Sequence, residues 1–116
     1  GDVPVVSSLA LGEEGEPLNV DGDRMASSLA TAMEAENLVL LTDVEKILLD
    51  GKPVDTLSIP DAKAALDGIG PGMITKLYAA IEAIEGGVEE AAVSSGFVDD
   101  PIEAALQHRT GTVIRK

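Results

Sequence analysis

The order of apolar and polar residues along the chain predicts alternating strands and helices. The continuous apolar run at residues 38–41 has the length of a strand, and such runs are typical of strands buried on both faces of a parallel sheet. A stripe at helical spacing comes later in the chain: Ile74, Leu77, Ile81 and Ile84. Gly86-Gly87 follows where this helix would end. The alternation predicts an α/β fold with a mainly parallel sheet flanked by helices.

Three elements are predicted before the apolar run. We expect a short strand at 3–6, a hairpin at 9–20 with its polar tip at 12–17, and a helix from Asp23 onwards. The inner face of this helix is predicted to carry Met25, Leu29, Ala32 and Met33. Small residues beside that face would allow close packing on a sheet: Ala26, Ala30 and Ala35.

The elements after the run are shorter. Asp50-Gly51 predicts the turn of a small β-hairpin, and Ser58 predicts the start of a short helix that reaches about Leu66. The remaining elements are expected to be a strand, a turn, a short helix and a closing strand, at 88–93, 94–96, 101–107 and 112–114.

The composition indicates one folded domain with an unusual core. Of the 116 residues, 45% are hydrophobic, which is too many for a disordered acidic chain. The only aromatic residues are Tyr78 and Phe97, so the core must consist of aliphatic side chains and alanine. The chain begins at Gly1 rather than Met, and we therefore expect it to be a fragment or a processed product.

The charge excludes several classes of partner. With 21 acidic and 8 basic residues, the net charge is −13, which disfavours nucleic acids and anionic membrane surfaces. No apolar run approaches the ~20 residues of a membrane span. The absence of cysteine excludes disulfides, zinc–cysteine sites and thiol nucleophiles, and is consistent with a cytoplasmic protein. A solvated surface, or one adapted to high salt, explains the acidity.

The segment Asn19-Val20-Asp21-Gly22-Asp23 places three polar side chains at a predicted strand-to-helix turn. It is not a calcium loop of the EF-hand type, because arginine occupies its sixth position and alanine its twelfth. Either aspartate could cap the helix, and a cap needs only one of them. The surplus of polar groups, with a glycine that permits close approach, favours a binding site.

A second segment, residues 70–76, joins a glycine-rich turn to the predicted helix that carries the apolar stripe. Free amides and the positive helix end would attract an anion, and Lys76 lies one turn into the helix. The segment does not match the Walker A pattern. Taken alone, it is more typical of a plain tight turn than of a phosphate site.

Three further residues carry side chains that could bind a ligand or a metal ion. Thr42 and Asp43 follow the predicted buried strand, where open α/β sheets bind their ligands, although Asp43 could equally serve only to turn the chain. His108 is the only histidine and has no cysteine or histidine partner, so a metal site or a catalytic triad is not supported. We expect it to be exposed near a helix end, and Tyr78 to be partly buried.

Four segments, taken in order, resemble the C-terminal half of the amino-acid kinase family, which includes N-acetylglutamate kinase. They cover essentially the whole chain and lie at 19–23, 38–44, 72–76 and 111–114. No single segment is specific, whereas the four in order are. Asn-Val-Asp-Gly-Asp resembles the carrier-protein branch of the family more than the Asn-Val-Asn-Ala-Asp usual in acetylglutamate kinases. The residues at 94–96 and 100–103 point to the same branch.

The resemblance implies phosphoryl transfer from ATP, with Mg²⁺, to a carboxylate. In the carrier branch the substrate is 2-aminoadipate or glutamate attached through its amino group to a small acidic carrier protein. By this resemblance Asp23 would orient catalytic lysines, Lys76 would contact the transferring phosphates, and Asn19 would hold the α-carboxylate of the substrate. The nucleotide pocket would include Thr42, Asp43, Gly72 and Met73.

The resemblance also sets expectations for the whole protein. Residues 1–116 would form the nucleotide-binding C-terminal part of a three-layer kinase fold, without the N-terminal substrate part and with little turnover alone. The full-length parent would be cytoplasmic and homo-oligomeric, in lysine or arginine biosynthesis. The alternatives are an N-acetylglutamate kinase, a stand-alone nucleotide-binding module without catalysis, and a small acidic domain with no ligand.

Overall fold

The computed structural model describes residues 2–116, so Gly1 lies outside the described part. In chain order the strands are β1 (Leu9–Leu11), β2 (Pro17–Asn19), β3 (Asn37–Thr42), β4 (Leu48–Leu49), β5 (Lys52–Pro53), β6 (Thr56–Ser58), β7 (Glu90–Ser95) and β8 (Thr112–Arg115). The α-helices are α1 (Gly22–Ala32), α2 (Ile59–Ala65), α3 (Pro71–Glu85) and α4 (Pro101–Leu106). A 3₁₀ turn, Leu66–Gly68, follows α2.

Four strands form the central sheet in the order β3-β7-β8-β6. β3 is parallel to β7 and β6 is parallel to β8, whereas β7 and β8 are antiparallel. Two of the three pairings are parallel, which confirms the mainly parallel sheet that the sequence predicts. The pairs β1–β2 and β4–β5 form separate antiparallel hairpins at the predicted places.

Helices α1, α2 and α3 cover one face of this sheet. The stripe on α3 is buried as predicted at Leu77, Ile81 and Ile84, while Ile74 at its start is partly exposed. Three alanines of α3 are completely buried beside the stripe: Ala79, Ala80 and Ala83. Because alanine is small, it lets the backbone of α3 approach the strands closely, and this compensates for the scarcity of aromatic side chains.

Helix α4 lies on the opposite face, where Ala104 and Ala105 are buried and the helix contacts β3 and β7. The two helical layers and the sheet make the α/β sandwich that the sequence predicts. However, α4 has only six residues and covers little of β3. Leu41, on this face of β3, remains 39% exposed, so the prediction that the strand is buried on both faces is wrong for this face.

A hairpin turn and a helix cap form as the sequence predicts. Asp50 and Gly51, at the tip of the β4–β5 hairpin, both have positive φ, +52° and +77°, which is the backbone of a type I′ turn. Ser58 caps α2, since its hydroxyl oxygen accepts the amide of Asp61 at 3.3 Å.

Two further predictions about local structure are wrong. Residues 3–6 form no strand in the described chain, and Val3 and Val5 are almost fully exposed, because no strand within 2–116 pairs with them. Ser94 and Ser95 are not a turn but the buried end of β7, because Leu41 and Thr42 of β3 pair with them. Nonlocal pairing overrides the turn-forming preference of serine at these positions.

The buried face of α1 is also rotated from the predicted one. Ser27 and Ala30 are buried, whereas Met33 is 70% exposed and Ala32 is exposed. α1 packs mainly on α3 and only secondarily on β3. The small residues therefore face the neighbouring helix, where close approach is needed, and the larger apolar residues lie to the side.

The first turn of α1 yields a prediction about stability. Asp21 Oδ1 accepts the amides of Asp23 at 2.8 Å and Arg24 at 3.4 Å, so Asp21 is the N-cap. Asp21→Ala is expected to lower the free energy of unfolding by about 1 kcal/mol, measured by urea denaturation. Asp21→Asn keeps a capping oxygen and is expected to restore most of that loss. Equal losses in both variants would contradict the capping role.

Candidate functional site

The amino-terminal ends of α1 and α3 lie at the same edge of the sheet. α3 turns tightly into β7, with the amide of Val88 donating to Ala83 O at 3.0 Å, while Met73 at its start lines the same cleft as Val44, just after β3. α1 turns into β3 similarly, with the amide of Ala35 donating to Ala30 O at 2.9 Å. Both helices therefore begin near the carboxyl ends of β3 and β7, where α/β sheets place their ligand sites.

An ion pair links these two helix starts. Lys76 Nζ, in α3, lies 3.1 Å from Asp23 Oδ2 and 3.3 Å from Oδ1, in α1. The hydroxyl of Thr75 donates to the same carboxylate at 3.3 Å. The side chains of Lys76 and Asp23 are 20% and 21% exposed, so water has limited access to the pair. The pair holds the ammonium group in a defined position beside the first turn of α3.

The first turn of α3 leaves one amide open. Pro71 has no N–H, and the amides of Met73 and Ile74 donate to Gly70 O at 3.0 and 3.1 Å. Within residues 2–116, this leaves the N–H of Gly72 as the free donor of the turn. Gly72 is exposed, and apart from its chain neighbours and the backbone of its own helix, no atom of residues 2–116 would lie within 4 Å of a Cβ there. The turn therefore has space for an anion at the positive end of the helix.

An apolar cleft of about 180 Å³ adjoins this turn. Its walls come from the loop after β3 and from the segment that leads into α3: Val44, Lys46, Ile47, Leu48, Ile69, Gly70 and Met73. Thr42 and Asp43, at the end of β3, precede this loop, and the Thr42 hydroxyl donates to Asp43 Oδ1 at 3.2 Å. A flat apolar group could enter the cleft while an attached anion reached Gly72 and Lys76.

A second contact between α1 and α3 stiffens the same region. Arg24 Nη2 lies 2.9 Å from Glu82 Oε1, and Arg24 Cζ lies over the Tyr78 ring, 5.7 Å from its centroid. The hydrogen bond and charge of Glu82 raise the pKa of Arg24 above its ordinary value. The Arg24 side chain is 61% exposed, so the pair contributes little to the stability of the fold.

Comparison with known proteins decides the family. The model of the amino acid kinase family matches residues 1–95. The chain belongs to the amino acid kinase family. The LysW-aminoadipate/LysW-glutamate kinase of Sulfolobus acidocaldarius is 50% identical over 114 residues, which are 97% of this chain and 43% of that protein. The protein of that name from Sulfurisphaera tokodaii is 56% identical over 102 residues, covering 88% of this chain and 39% of its own length.

Solved structures agree with the family. N-acetylglutamate synthase from Neisseria gonorrhoeae, in complex with coenzyme A and L-arginine, superposes with a TM-score of 0.84 at 30% identity, covering 94% of this chain and 26% of that chain. Carbamate kinase from Giardia lamblia, bound to citric acid, superposes with a TM-score of 0.71 at 24% identity. The match covers 93% of this chain and 36% of the carbamate kinase chain, and it shows a shared fold. This amino acid kinase chain thus spans less than half the length of the curated relatives it matches.

The structure brings some predicted site residues of this amino acid kinase chain together. Asp23 and Lys76 are in contact, and Gly72 and Met73 lie in the first turn of the same helix as Lys76. Asn19 is exposed at the last position of β2, two residues before the cap of α1. Outside the site, His108 is exposed as expected, with Nε2 2.8 Å from Glu90 Oε2.

Sequence analysis missed two contributions to the site. Thr75 lies within a noted segment, but only the fold shows that its hydroxyl reaches Asp23. Lys46 and Ile47 line the cleft, although the residue pattern indicates no role in a site for either of them. Their signal was their position just after Thr42-Asp43, at the carboxyl end of a strand.

Within residues 2–116, no group of three or more histidine, cysteine, aspartate or glutamate side chains is arranged to hold a metal ion. Every helix in the same range is too short or too polar to cross a membrane.

Proposed function

We propose that this chain forms the nucleotide-binding part of a kinase that transfers the γ-phosphoryl group of ATP to the side-chain carboxylate of 2-aminoadipate or glutamate. The amino group of that substrate would be attached to a carrier protein. The observation that carries the proposal is the Asp23–Lys76 pair at the start of α3, beside an apolar cleft. A cation next to an apolar cleft suits a ligand that is flat and apolar at one end and anionic at the other.

Each part of ATP has a matching group in this arrangement. The adenine would occupy the cleft between the loop after β3 and Met73. Thr42 and Asp43 do not line this cleft but immediately precede the loop that does, and would contact the nucleotide from the end of β3. The phosphates would lie at the amide of Gly72 and the ammonium group of Lys76. Mg²⁺ would arrive bound to the phosphates, where it neutralises charge during phosphoryl transfer. The residues present fit the nucleotide in both shape and charge.

Asp23 would position Lys76 rather than accept a proton. Its two carboxylate oxygens already receive the Lys76 ammonium and the Thr75 hydroxyl. A lysine held in this way keeps its direction when phosphates arrive, so charge neutralisation requires little reorganisation. Asn19, exposed at the last position of β2, would bind the α-carboxylate of the substrate.

The names of the relatives support the carrier-linked substrate. Proteins that are 46–56% identical carry the LysW-aminoadipate/LysW-glutamate kinase name, in one case as a putative assignment. On this proposal, the parent protein is a cytoplasmic homo-oligomer in lysine or arginine biosynthesis. Because the chain corresponds to 43% of one such relative, we expect nucleotide binding but little turnover from these 116 residues.

A titration followed by NMR of the backbone amides tests the proposal. MgATP is expected to shift amide signals at 43–48 and 70–76. Adenosine alone should shift mainly the first set, and tripolyphosphate mainly the amide of Gly72 and its neighbours. If saturating MgATP moves neither set of signals, the nucleotide-binding role of this chain is wrong.

A further inference from the structure

Thr112, the first residue of β8, is fully buried, and its hydroxyl group both accepts and donates a hydrogen bond. Its Oγ1 accepts the amide of Ile47 at 2.9 Å and donates to Val54 O at 2.5 Å. These partners come from two segments that are distant from Thr112 in sequence. The hydroxyl therefore connects the closing strand to the segments that flank the β4–β5 hairpin.

Ile47 is held from both sides of its backbone. While its amide donates to Thr112, its carbonyl accepts the amide of Val54 at 3.0 Å. Its side chain is only 1% exposed, yet it also contributes to the wall of the apolar cleft. The residues between Thr42 and Leu48 belong to no strand, so sheet pairing does not fix their path. The path of this loop depends on the contacts at Ile47.

We propose that Thr112 is a positioning residue for the nucleotide cleft. It touches no part of the cleft itself and acts through Ile47, by fixing the loop that forms one wall. This inference rests on the proposed nucleotide-binding function. A residue in the last strand would then set the affinity for the base, while the phosphate contacts at the start of α3 would not depend on it.

The chemistry of the position supports a role beyond filling space. Valine has nearly the shape of threonine and would fill the same volume, whereas a buried hydroxyl is unfavourable unless it is hydrogen-bonded. The Lys46–Asp55 ion pair also joins these segments, but the Asp55 side chain is 80% exposed, so that link is weak. The backbone hydrogen bonds from Val54 N to Ile47 O and from Val113 N to Asp55 O do not engage the Ile47 amide. Thr112 is thus the residue of β8 that holds this amide.

The test compares Thr112→Val with Thr112→Ser, using calorimetric titration with adenosine, tripolyphosphate and MgATP. Thr112→Val removes both hydrogen bonds, so the loop would occupy its binding conformation for a smaller fraction of the time. Affinity for adenosine and MgATP is expected to fall about fivefold to tenfold. Thr112→Ser keeps the hydroxyl and is expected to stay within about twofold of the original chain. Tripolyphosphate affinity should not change in either variant.

A third variant distinguishes a positioning role of Thr112 from a general loss of stability. Val88 is buried in the turn between α3 and β7, at the far end of α3 from the cleft. Val88→Ala should destabilise the chain while leaving adenosine affinity unchanged, provided that titrations are run well below the unfolding temperature. If Thr112→Val binds adenosine as the original chain does, or if Val88→Ala weakens binding equally, the positioning role is wrong.

The exchange rate of the Ile47 amide can be measured in the original chain, without any variant. The Ile47 amide is expected to exchange only as slowly as global unfolding allows, and rapid exchange would overturn the inference. If Thr112→Val does not fold, rapid exchange of this amide would still overturn the inference, and the adenosine affinity of Thr112→Ser would still test it. Failure of the original chain to bind any nucleotide would instead overturn the proposed function, so the two failures are distinguishable.

Discussion

Lys76→Ala is expected to weaken MgATP binding by about 10- to 100-fold. A hydrogen bond to a charged group contributes about 1.5–3 kcal/mol, and about 1.4 kcal/mol corresponds to a factor of ten in affinity. The ammonium group is already held 3.1 Å from Asp23 and is 20% exposed, so little side-chain entropy remains to be lost on binding. Calorimetric titration of both proteins at one ionic strength would measure the ratio of their dissociation constants.

Lys63→Ala is the matched control for this result. Lys63 lies on α2 and pairs with Glu85, at the opposite end of α3, at 3.2 Å. Its removal changes the net charge by the same amount and also breaks one ion pair with an acidic residue. We expect its MgATP affinity to equal that of the original chain. Equal weakening in the two variants would mean that net charge, rather than a local phosphate contact, controls binding.

Gly111→Ala is expected to produce the largest loss of stability. Gly111 has a φ of +85°, and a left-handed backbone costs about 1–2 kcal/mol for a residue with a side chain. A Cβ there would lie 2.7 Å from Ser94 Cβ and 2.8 Å from Val93 O, and overpacking of this kind costs about 1–3 kcal/mol. The expected loss of about 2–5 kcal/mol is a large share of the roughly 5–15 kcal/mol that stabilises a domain.

Gly51→Ala measures the cost of the left-handed backbone without the steric clash. Gly51 has a similar φ of +77°, but apart from its chain neighbours no atom of residues 2–116 would lie within 4 Å of a Cβ there. Urea denaturation should show a loss of only about 1–2 kcal/mol in this variant. If the two glycine variants lose the same stability, the close approach of β8 to Ser94 is not what requires glycine at position 111.

Local signals explain which parts of the fold the sequence could predict. The Asp50-Gly51 turn, the Ser58 cap and the long helix α3 depend on residues that are neighbours in the chain. Sheet order and strand direction depend on contacts between distant segments. The antiparallel pairing of β7 with β8 has no counterpart in the residue pattern, and the pairing of Ser94 with Leu41 extends a strand through residues that usually form turns.

The same distinction between local signals and distant contacts applies to the candidate site. The residue pattern drew attention to Asp23 and Lys76 as parts of separate segments, and the family resemblance assigned them related roles. Only the fold shows that they are in contact, because 53 residues separate them in sequence. The link from Thr112 to Ile47 spans 65 residues, and neither residue type alone indicates a functional role.

Strand β3 combines two properties with a consequence for handling the chain in solution. It is an outer strand of the sheet, and none of the described strands pairs with its free side. Its apolar segment contains neither lysine nor proline, the residues that commonly prevent such edges from recruiting another chain. The net charge of −13 opposes association of copies, but salt screens this repulsion. Raising the ionic strength would therefore promote edge-to-edge aggregation.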